Sequence, residues 1–162
     1  MASLNYEDVF SRFYTKVKAY DFIYESLSDD MVEEFMISWL HSAISYPYIR
    51  RLFSIVSLDD DAMEFEFTLQ YPVDEFTDSE FVTEVLSYAM IYSWLEPKVK
   101  SVTNIYQNFT TSDEKYFSQA AHLSELRGLC EDCEIRIRGL IRDQGYLYNP
   151  YLDGTTPLRR QP

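Results

Sequence analysis

Two cysteines and two histidines are the residues of this sequence with the most obvious catalytic or metal-binding chemistry. Cys130 and Cys133 have the Cys-x-x-Cys spacing of a redox pair or of half a zinc site. No second cysteine pair exists, and no strand is predicted before the first. His41 and His122 lie in separate segments without an HExxH or comparable arrangement. The sequence therefore predicts reduced, buried thiols on a helix, with no bound metal and no cofactor.

Glycines are too few and too scattered to form a phosphate-binding loop. The chain has only four, at Gly128, Gly139, Gly145 and Gly154. Serine hydrolase, P-loop and dinucleotide-binding signatures are missing for this reason. We therefore expect a protein that is not an enzyme.

The overall charge excludes another class of function. Asp and Glu number 27 against 14 Lys and Arg, which gives a formal net charge of −13. Ordinary nucleic-acid binding is disfavoured, because it depends on neutralising phosphates with basic side chains. The opening residues have no basic or apolar signal region, and no apolar run approaches about 18 residues. We expect a soluble protein made in the cytoplasm, with no membrane partner.

One internal segment is acidic throughout. No Lys or Arg occurs between Leu52 and Pro97, whereas eleven residues there are Asp or Glu. The segment "DDDAMEFE" does not fit a calcium loop, because it lacks the glycine that an EF-hand needs. Two interpretations stay open, a solvated face or a surface that repels or imitates DNA. The candidate residues for this acidic channel or solvent face are Asp59, Asp60, Asp61, Glu64 and Glu66.

The elements that must carry these residues begin with two helices. Apolar residues of "NYEDVFSRFYTKVKAYDFIYESL" recur at spacings of three and four, which predicts an amphipathic helix after Asn5. A second helix follows in "SDDMVEEFMISWLHSAISYP", and Pro47 should end it. Its predicted apolar face is Val32, Phe35, Met36, Trp39, Leu40, Ala43 and Ile44.

The acidic segment itself alternates like a strand. In "AMEFEFTLQY", apolar residues alternate with polar ones, which predicts a half-buried strand. "RLFSIVSL" should pair with it through the "DDDA" turn, giving a β-hairpin at about residues 50–71. The apolar side of this hairpin is predicted to consist of Met63, Phe65, Phe67, Leu69 and Tyr71.

Two further helices complete the predicted core. One starts at the capping box Thr77-x-x-Glu80, continues through the nearly all-apolar "SYAMIYSWL", and should stop, kink or restart at Pro97. The other starts near "TTSDEKYF" and is the longest. Its apolar seam has heptad-like spacing and contains both cysteines, in the order Leu123, Leu126, Cys130, Cys133, Ile137 and Leu140.

The predicted fold is mainly α, a helical bundle of about four helices with an inserted β-hairpin and an extended C-terminal tail. Residues 1–143 would form the helical domain and residues 144–162 the tail, which contains three of the six prolines. Exposed aromatic and aliphatic groups on such a tail predict that it docks on a partner protein. The docking residues would be Tyr146, Tyr148, Tyr151, Leu152, Leu158, Arg159 and Arg160.

A resemblance adds to this interpretation. "LSDDMVEEFMISWLHSAI", "SLDDDAMEF" and the stretch from "FTDSEFVTEVL" to "HLSELRGL" are similar to neck or head-tail adaptor (connector) proteins of tailed bacteriophages. The similarity covers residues 5–143, and its most specific parts are Trp94-Leu95-x-Pro97 and the segment 116–127. The hairpin region is longer than in that family, and the proline-bearing tail departs from it.

The resemblance implies a structural virion protein without enzyme activity. Such proteins form a ring, usually a homo-dodecamer, at the head-tail junction below the portal. Their partners are the portal protein and the neighbouring neck or tail ring proteins, and duplex DNA passes through without specific binding. An acidic surface suits that passage. The alternative function is an acidic DNA-mimic inhibitor that binds a nucleic-acid-processing enzyme.

Overall fold

The computed structural model describes residues 2–17, 29–106 and 113–147. This part of the chain is mainly helical and contains one small antiparallel sheet, as the sequence predicted. The elements, in chain order, are β1 (Ala2–Asn5), α1 (Tyr6–Val17), α2 (Asp29–Ser45), α3 (Pro47–Arg50), β2 (Phe53–Asp59), β3 (Glu64–Leu69), α4 (Glu75–Tyr106) and α5 (Asp113–Leu147).

Helix α4 is the centre of the core. Helices α1, α2 and α5 all pack against it. Because it is surrounded, its buried side chains occur on every side of the helix, and even Ser87 is fully buried. The prediction of a central helix is therefore confirmed. Its buried apolar residues are Val82, Val85, Leu86, Ala89, Met90, Ile91, Trp94 and Leu95.

The prediction of the start of this helix was wrong, and so was a stop or restart at Pro97, while a kink there stays a prediction. Helix α4 begins at Glu75, where the Asp74 carboxylate accepts a hydrogen bond from the Thr77 amide at 2.9 Å, so Asp74 and not Thr77 is the cap. The helix also neither stops nor restarts at Pro97 but continues to Tyr106. Proline removes only one helical hydrogen bond. Trp94, which is buried, and Val99, which packs on the core, keep both sides of Pro97 in place.

The sheet contains the predicted hairpin and one strand that was not predicted. Its order is β1-β3-β2, with Leu4 opposite Phe65 on one side of β3 and Leu58 opposite Phe65 on the other. The prediction of a hairpin within residues 50–71 is confirmed. Its apolar side is shorter than predicted, because β3 ends at Leu69 and Tyr71 is 57% exposed.

The turn of the hairpin is anchored to the first helix. Met63 has a positive φ of 55°, a left-handed conformation that reverses the chain before β3. Its carbonyl accepts a 2.8 Å hydrogen bond from the amide of Tyr6, the first residue of α1. The turn, the end of β1 and the start of α1 therefore meet at one point.

The first two helices follow their predicted stripes where the structure describes them. Tyr6, Phe10, Phe13 and Val17 of α1 are buried, and the remainder of that stripe lies outside the described residues. Helix α2 ends at Ser45, and Pro47 then starts the short helix α3. The predicted apolar face of α2 holds except at Phe35, which is 43% exposed.

Helix α5 confirms the predicted seam and moves the predicted boundary of the tail. Leu123, Leu126, Cys133 and Ile137 are buried, and Cys130 and Leu140 are partly buried against the same core. The helix continues to Leu147, so placing the start of an extended tail at residue 144 was wrong. Residues 148–162 lie outside the described part of the chain.

Candidate functional site

The outward side of the hairpin gathers three of the predicted acidic residues. Phe65 and Phe67 point into the core, so Glu64 and Glu66 between them point outward. Asp59 on β2 lies directly opposite Glu64, and Asp59 is also exposed. We call Asp59, Glu64 and Glu66 the acidic sheet face.

The acidic sheet face makes no ion pair with the described Lys and Arg residues. Among the described residues, no Lys or Arg nitrogen lies within 4.0 Å of its carboxylates. Ser57 and Ser3 flank Glu66, and Asn5 flanks Glu64. Like charges directly opposite each other on paired strands are unfavourable, as at Asp59 and Glu64. The Asp59 carboxylate also accepts a 3.0 Å hydrogen bond from the Ala62 amide. Asp61, in the turn, is exposed as well.

Asp60 is hydrogen-bonded to two helices, whereas Asp59 accepts a 3.0 Å bond from the Ala62 amide within the turn. Oδ1 of Asp60 accepts a bond from the Tyr6 hydroxyl at 2.6 Å and lies 2.9 Å from Nε2 of His41. The bonds from Tyr6 and His41 lower the pKa of the Asp60 carboxyl. Burial, and then the bond to Asp60, raise the pKa of the Tyr6 phenol. Asp60 therefore joins the hairpin turn to α1 and α2.

Sequence reasoning did not find this connection. It assigned Asp60 to the exposed acidic surface, Tyr6 to an apolar stripe and His41 to no role. The three residues are far apart in the chain, and neither periodicity nor spacing indicates that they meet. Asp60 is exposed, so its place in the predicted acidic channel or solvent face stays a prediction, although its carboxylate also bonds Tyr6 and His41.

A second feature that the sequence did not reveal is a groove lined by arginines. Arg51, Arg138 and Arg142 lie around an apolar cavity of about 930 Å³ between α3, the end of β3, the first part of α4 and the last part of α5. We call it the arginine groove. Its apolar and aromatic lining includes Tyr48, Leu52, Leu69, Tyr71, Phe81 and Ile141. It gathers three of the 14 basic residues of a protein with a net charge of −13.

The cysteines have the properties of buried thiols. Both are free, Cys133 is buried, and Cys130 is partly buried. Burial raises the pKa of Cys133 to about 11 and also raises that of Cys130. At neutral pH both therefore remain protonated, which is the unreactive form of a thiol. Among residues 2–17, 29–106 and 113–147, no three His, Cys, Asp or Glu side chains are grouped to hold a metal ion.

The predicted docking residues of the tail are mostly beyond the described chain. Tyr146 belongs to the last turn of α5. Tyr148, Tyr151, Leu152, Leu158, Arg159 and Arg160 lie outside the described residues. Their role in docking stays a prediction.

Comparison with known proteins gives no assignment. No protein-family model matches the chain, and neither a curated protein nor a solved structure is significantly similar to it. Within the described residues, every helix is too short or too polar to span a membrane.

Proposed function

We propose that the protein is a structural subunit of a phage head-tail adaptor, a ring at the head-tail junction of the virion through which DNA passes. The observation that carries this proposal is the acidic sheet face, three outward carboxylates with no cation of the described residues beside them. Uncompensated charge of this kind weakens the fold, so a function that uses it is a reasonable explanation.

Electrostatic repulsion is the use that we infer. Duplex DNA carries one negative charge per about 1.7 Å of its axis. A channel wall that attracted the phosphates would retard the genome, whereas a wall of carboxylates excludes them from close contact. Asp59, Glu64 and Glu66 would supply that wall if the outer side of the sheet faces the channel.

The acidic sheet face is firmly attached to the core, as a channel wall requires. Phe65 and Phe67, at alternate positions with its two glutamates, are each only 1% exposed. The Asp60 carboxylate accepts a hydrogen bond from Tyr6 and lies within hydrogen-bond distance of His41, which attaches the turn to two helices. The carboxylates are therefore held on a rigid sheet and not on a free loop.

Assembly into a ring is supported by large apolar side chains left in water. Phe76 is 77% exposed, Ile135 is 68% exposed and Tyr71 is 57% exposed. Exposed apolar groups of this size are common at protein interfaces. We further propose that the predicted docking residues, from Tyr146 to Arg160, bind the portal or a neighbouring ring protein.

The DNA-mimic alternative has less support. A mimic needs carboxylates in paired rows that imitate the two phosphate backbones. Opposite Glu66, both neighbouring strands present serines, Ser57 and Ser3, and only Asp59 and Glu64 form an acidic pair. We therefore prefer the adaptor.

Native mass spectrometry and negative-stain imaging of the full-length protein test the proposal directly. We expect closed rings of identical subunits with a central opening wide enough for duplex DNA. A stable monomer or dimer that binds and inhibits a nuclease would favour the mimic instead.

A charge reversal tests the role of the acidic sheet face within such a ring. The variant Glu64→Lys with Glu66→Lys should form rings that retain DNA at low salt, whereas wild-type rings should not. The matched control is Glu125→Lys with Glu131→Lys, an equal charge change at exposed positions of α5. Equal DNA retention by both variants would contradict an acidic channel wall.

A further inference from the structure

We propose that the arginine groove of one copy binds the first half of α2 in the next copy, so that subunits associate head to tail. The binding surface on α2 consists of Asp30, Met31, Glu34 and Phe35, which we call the α2 face. This inference rests on the proposed ring, because the arginine groove and the α2 face would be the two surfaces at which neighbouring subunits of the ring meet.

The arginines of the groove are available for a partner. Among the described residues, no carboxylate lies within 4.0 Å of the Arg51 guanidinium. Arg138 pairs with Glu134, and Arg142 pairs with Asp143, each within α5 and at the surface. Exposed pairs of this kind contribute little free energy, so exchanging them for intermolecular pairs costs little. The planar guanidinium favours a carboxylate as its new partner.

The α2 face has the complementary chemistry. Met31 is 46% exposed and Phe35 is 43% exposed, although both are large apolar residues. Asp30 and Glu34 lie beside them on the same side of the helix, since residues four apart are neighbours there. No described Lys or Arg lies within 4.0 Å of either carboxylate. Apolar groups next to unpaired carboxylates match an apolar groove lined by guanidinium groups.

One aromatic side chain of the α2 face is already ordered. The ring of Phe35 stacks on Trp39 with centroids 6.0 Å apart and an angle of 17° between the planes. Holding Phe35 in this way reduces the side-chain entropy that binding would remove. Phe35 therefore has the properties of an anchor residue for the apolar part of the groove.

The two surfaces cannot meet within one chain. Glu34 and Ser45 are separated by roughly 16 Å along α2, and the groove begins beyond Ser45, at Tyr48. Contact between them therefore requires two copies. When identical subunits associate through two different surfaces, the resulting row of subunits has a free groove at one end and a free α2 face at the other. The row closes into a ring when the rotation between neighbouring copies brings these two ends together.

Paired charge reversals in the full-length protein test this contact. The groove variant is Arg51→Glu with Arg142→Glu, and the helix variant is Asp30→Lys with Glu34→Lys. Each variant alone places like charges on both of its surfaces, so its self-association should weaken by about 100-fold or more in sedimentation velocity. An equimolar mixture should recover association, because each altered surface then meets its complement.

A matched control separates this contact from net charge. Glu64→Lys with Glu66→Lys changes the net charge as much as the helix variant does, but on the acidic sheet face. It should associate like the wild type. Circular dichroism checks that each variant is folded, and Arg51→Gln with Arg142→Gln replaces the groove variant if reversal unfolds it. The glutamine pair should also weaken association, though less.

Three results would overturn the inference. They are a wild type without concentration-dependent association up to about 1 mM, folded variants that associate like the wild type, and a mixture that does not recover association. The proposed ring can be tested separately from this contact. Open chains that obey the charge reversals would support this contact and contradict a ring, whereas rings that survive both reversals would contradict this contact alone.

Discussion

The two sides of strand β3 are formed by alternate residues and differ in almost every property. Inward, Phe65, Phe67 and Leu69 are at most 5% exposed and hold the sheet on the helices. Outward, Glu64 and Glu66 are exposed and have no cation of the described residues within 4.0 Å. The comparison teaches that one short strand supplies both stability and charge, and that each can be changed without the other.

The largest effect is expected on the inward side. Phe67→Ala removes a nearly fully buried ring that packs against Phe53 and Phe65. The cavity should lower the free energy of unfolding by about 3 to 5 kcal/mol in urea denaturation. The control is Glu66→Ala, at the adjacent outward position, which should change the free energy of unfolding by less than about 0.5 kcal/mol. Similar losses for the two variants would show that the two sides are not separable.

A smaller loss is expected at Asp60, an exposed acidic residue whose carboxylate accepts a hydrogen bond from the buried Tyr6. Asp60→Ala leaves the hydroxyl of Tyr6, a residue with no exposed surface, without its partner. An unsatisfied buried polar group costs about 1 to 3 kcal/mol. Asp61→Ala, next to it in the turn, should be close to neutral. If the urea midpoints of these two variants coincide, Asp60 is simply another surface carboxylate.

The contribution of Asp60 should also depend on pH in a defined direction. Its pKa is lowered in the folded protein by the bonds from Tyr6 and His41. At acidic pH the unfolded state therefore binds more protons than the folded state. The contribution of Asp60 to the free energy of unfolding is complete above the ordinary pKa of an aspartate. It is lost as the pH falls through the lowered pKa of the folded protein. Between about pH 6 and pH 2.5, the difference in unfolding free energy between wild type and Asp60→Ala should narrow. A difference that stays constant over this range would contradict the assigned direction.

The smallest effect is expected on the outward side. Glu64→Lys places a cation opposite Asp59 and converts a repulsive cross-strand pair into an attractive one. It should stabilise the protein by about 0.2 to 1 kcal/mol, with a smaller gain at high salt. Thr68→Lys, on the same strand but opposite Ile55, is the control and should bring no such salt-dependent gain. A Glu64→Lys variant less stable than the wild type would indicate that Glu64 makes a favourable contact.

Much of the fold could be predicted because its signals are local. The alternation from Met63 to Leu69 predicted the strand, the spacing of α5 predicted its seam, and Pro47 predicted the end of α2. Strand β1 was missed because four residues, Ala2 to Asn5, are too few to show a period. The sequence left a stop, a kink or a restart open at Pro97, because tertiary packing, and not the local hydrogen bond, decides whether the helix continues there.

The candidate site was less predictable, because most of it depends on packing between distant segments. Asp59, Glu64 and Glu66 lie within eight residues, so their common surface follows from strand alternation. The partners of Asp60 come from residues 6 and 41, and the arginines of the groove come from residues 51, 138 and 142. Such groups form only after distant elements pack. Their charges are visible in the sequence, but their proximity is not.

The pairing of β1 with β3 also bears on how the chain reaches this fold during synthesis. Residues 2 to 5 pair with residues 64 to 67, about sixty positions later. At translation rates of roughly 5 to 20 residues per second, β1 waits several seconds for its partner strand to be made. The β2-β3 hairpin, whose strands are near neighbours in sequence, can form first and serve as the template. A nascent chain halted before residue 64 therefore lacks β3, the strand with which both β1 and β2 pair.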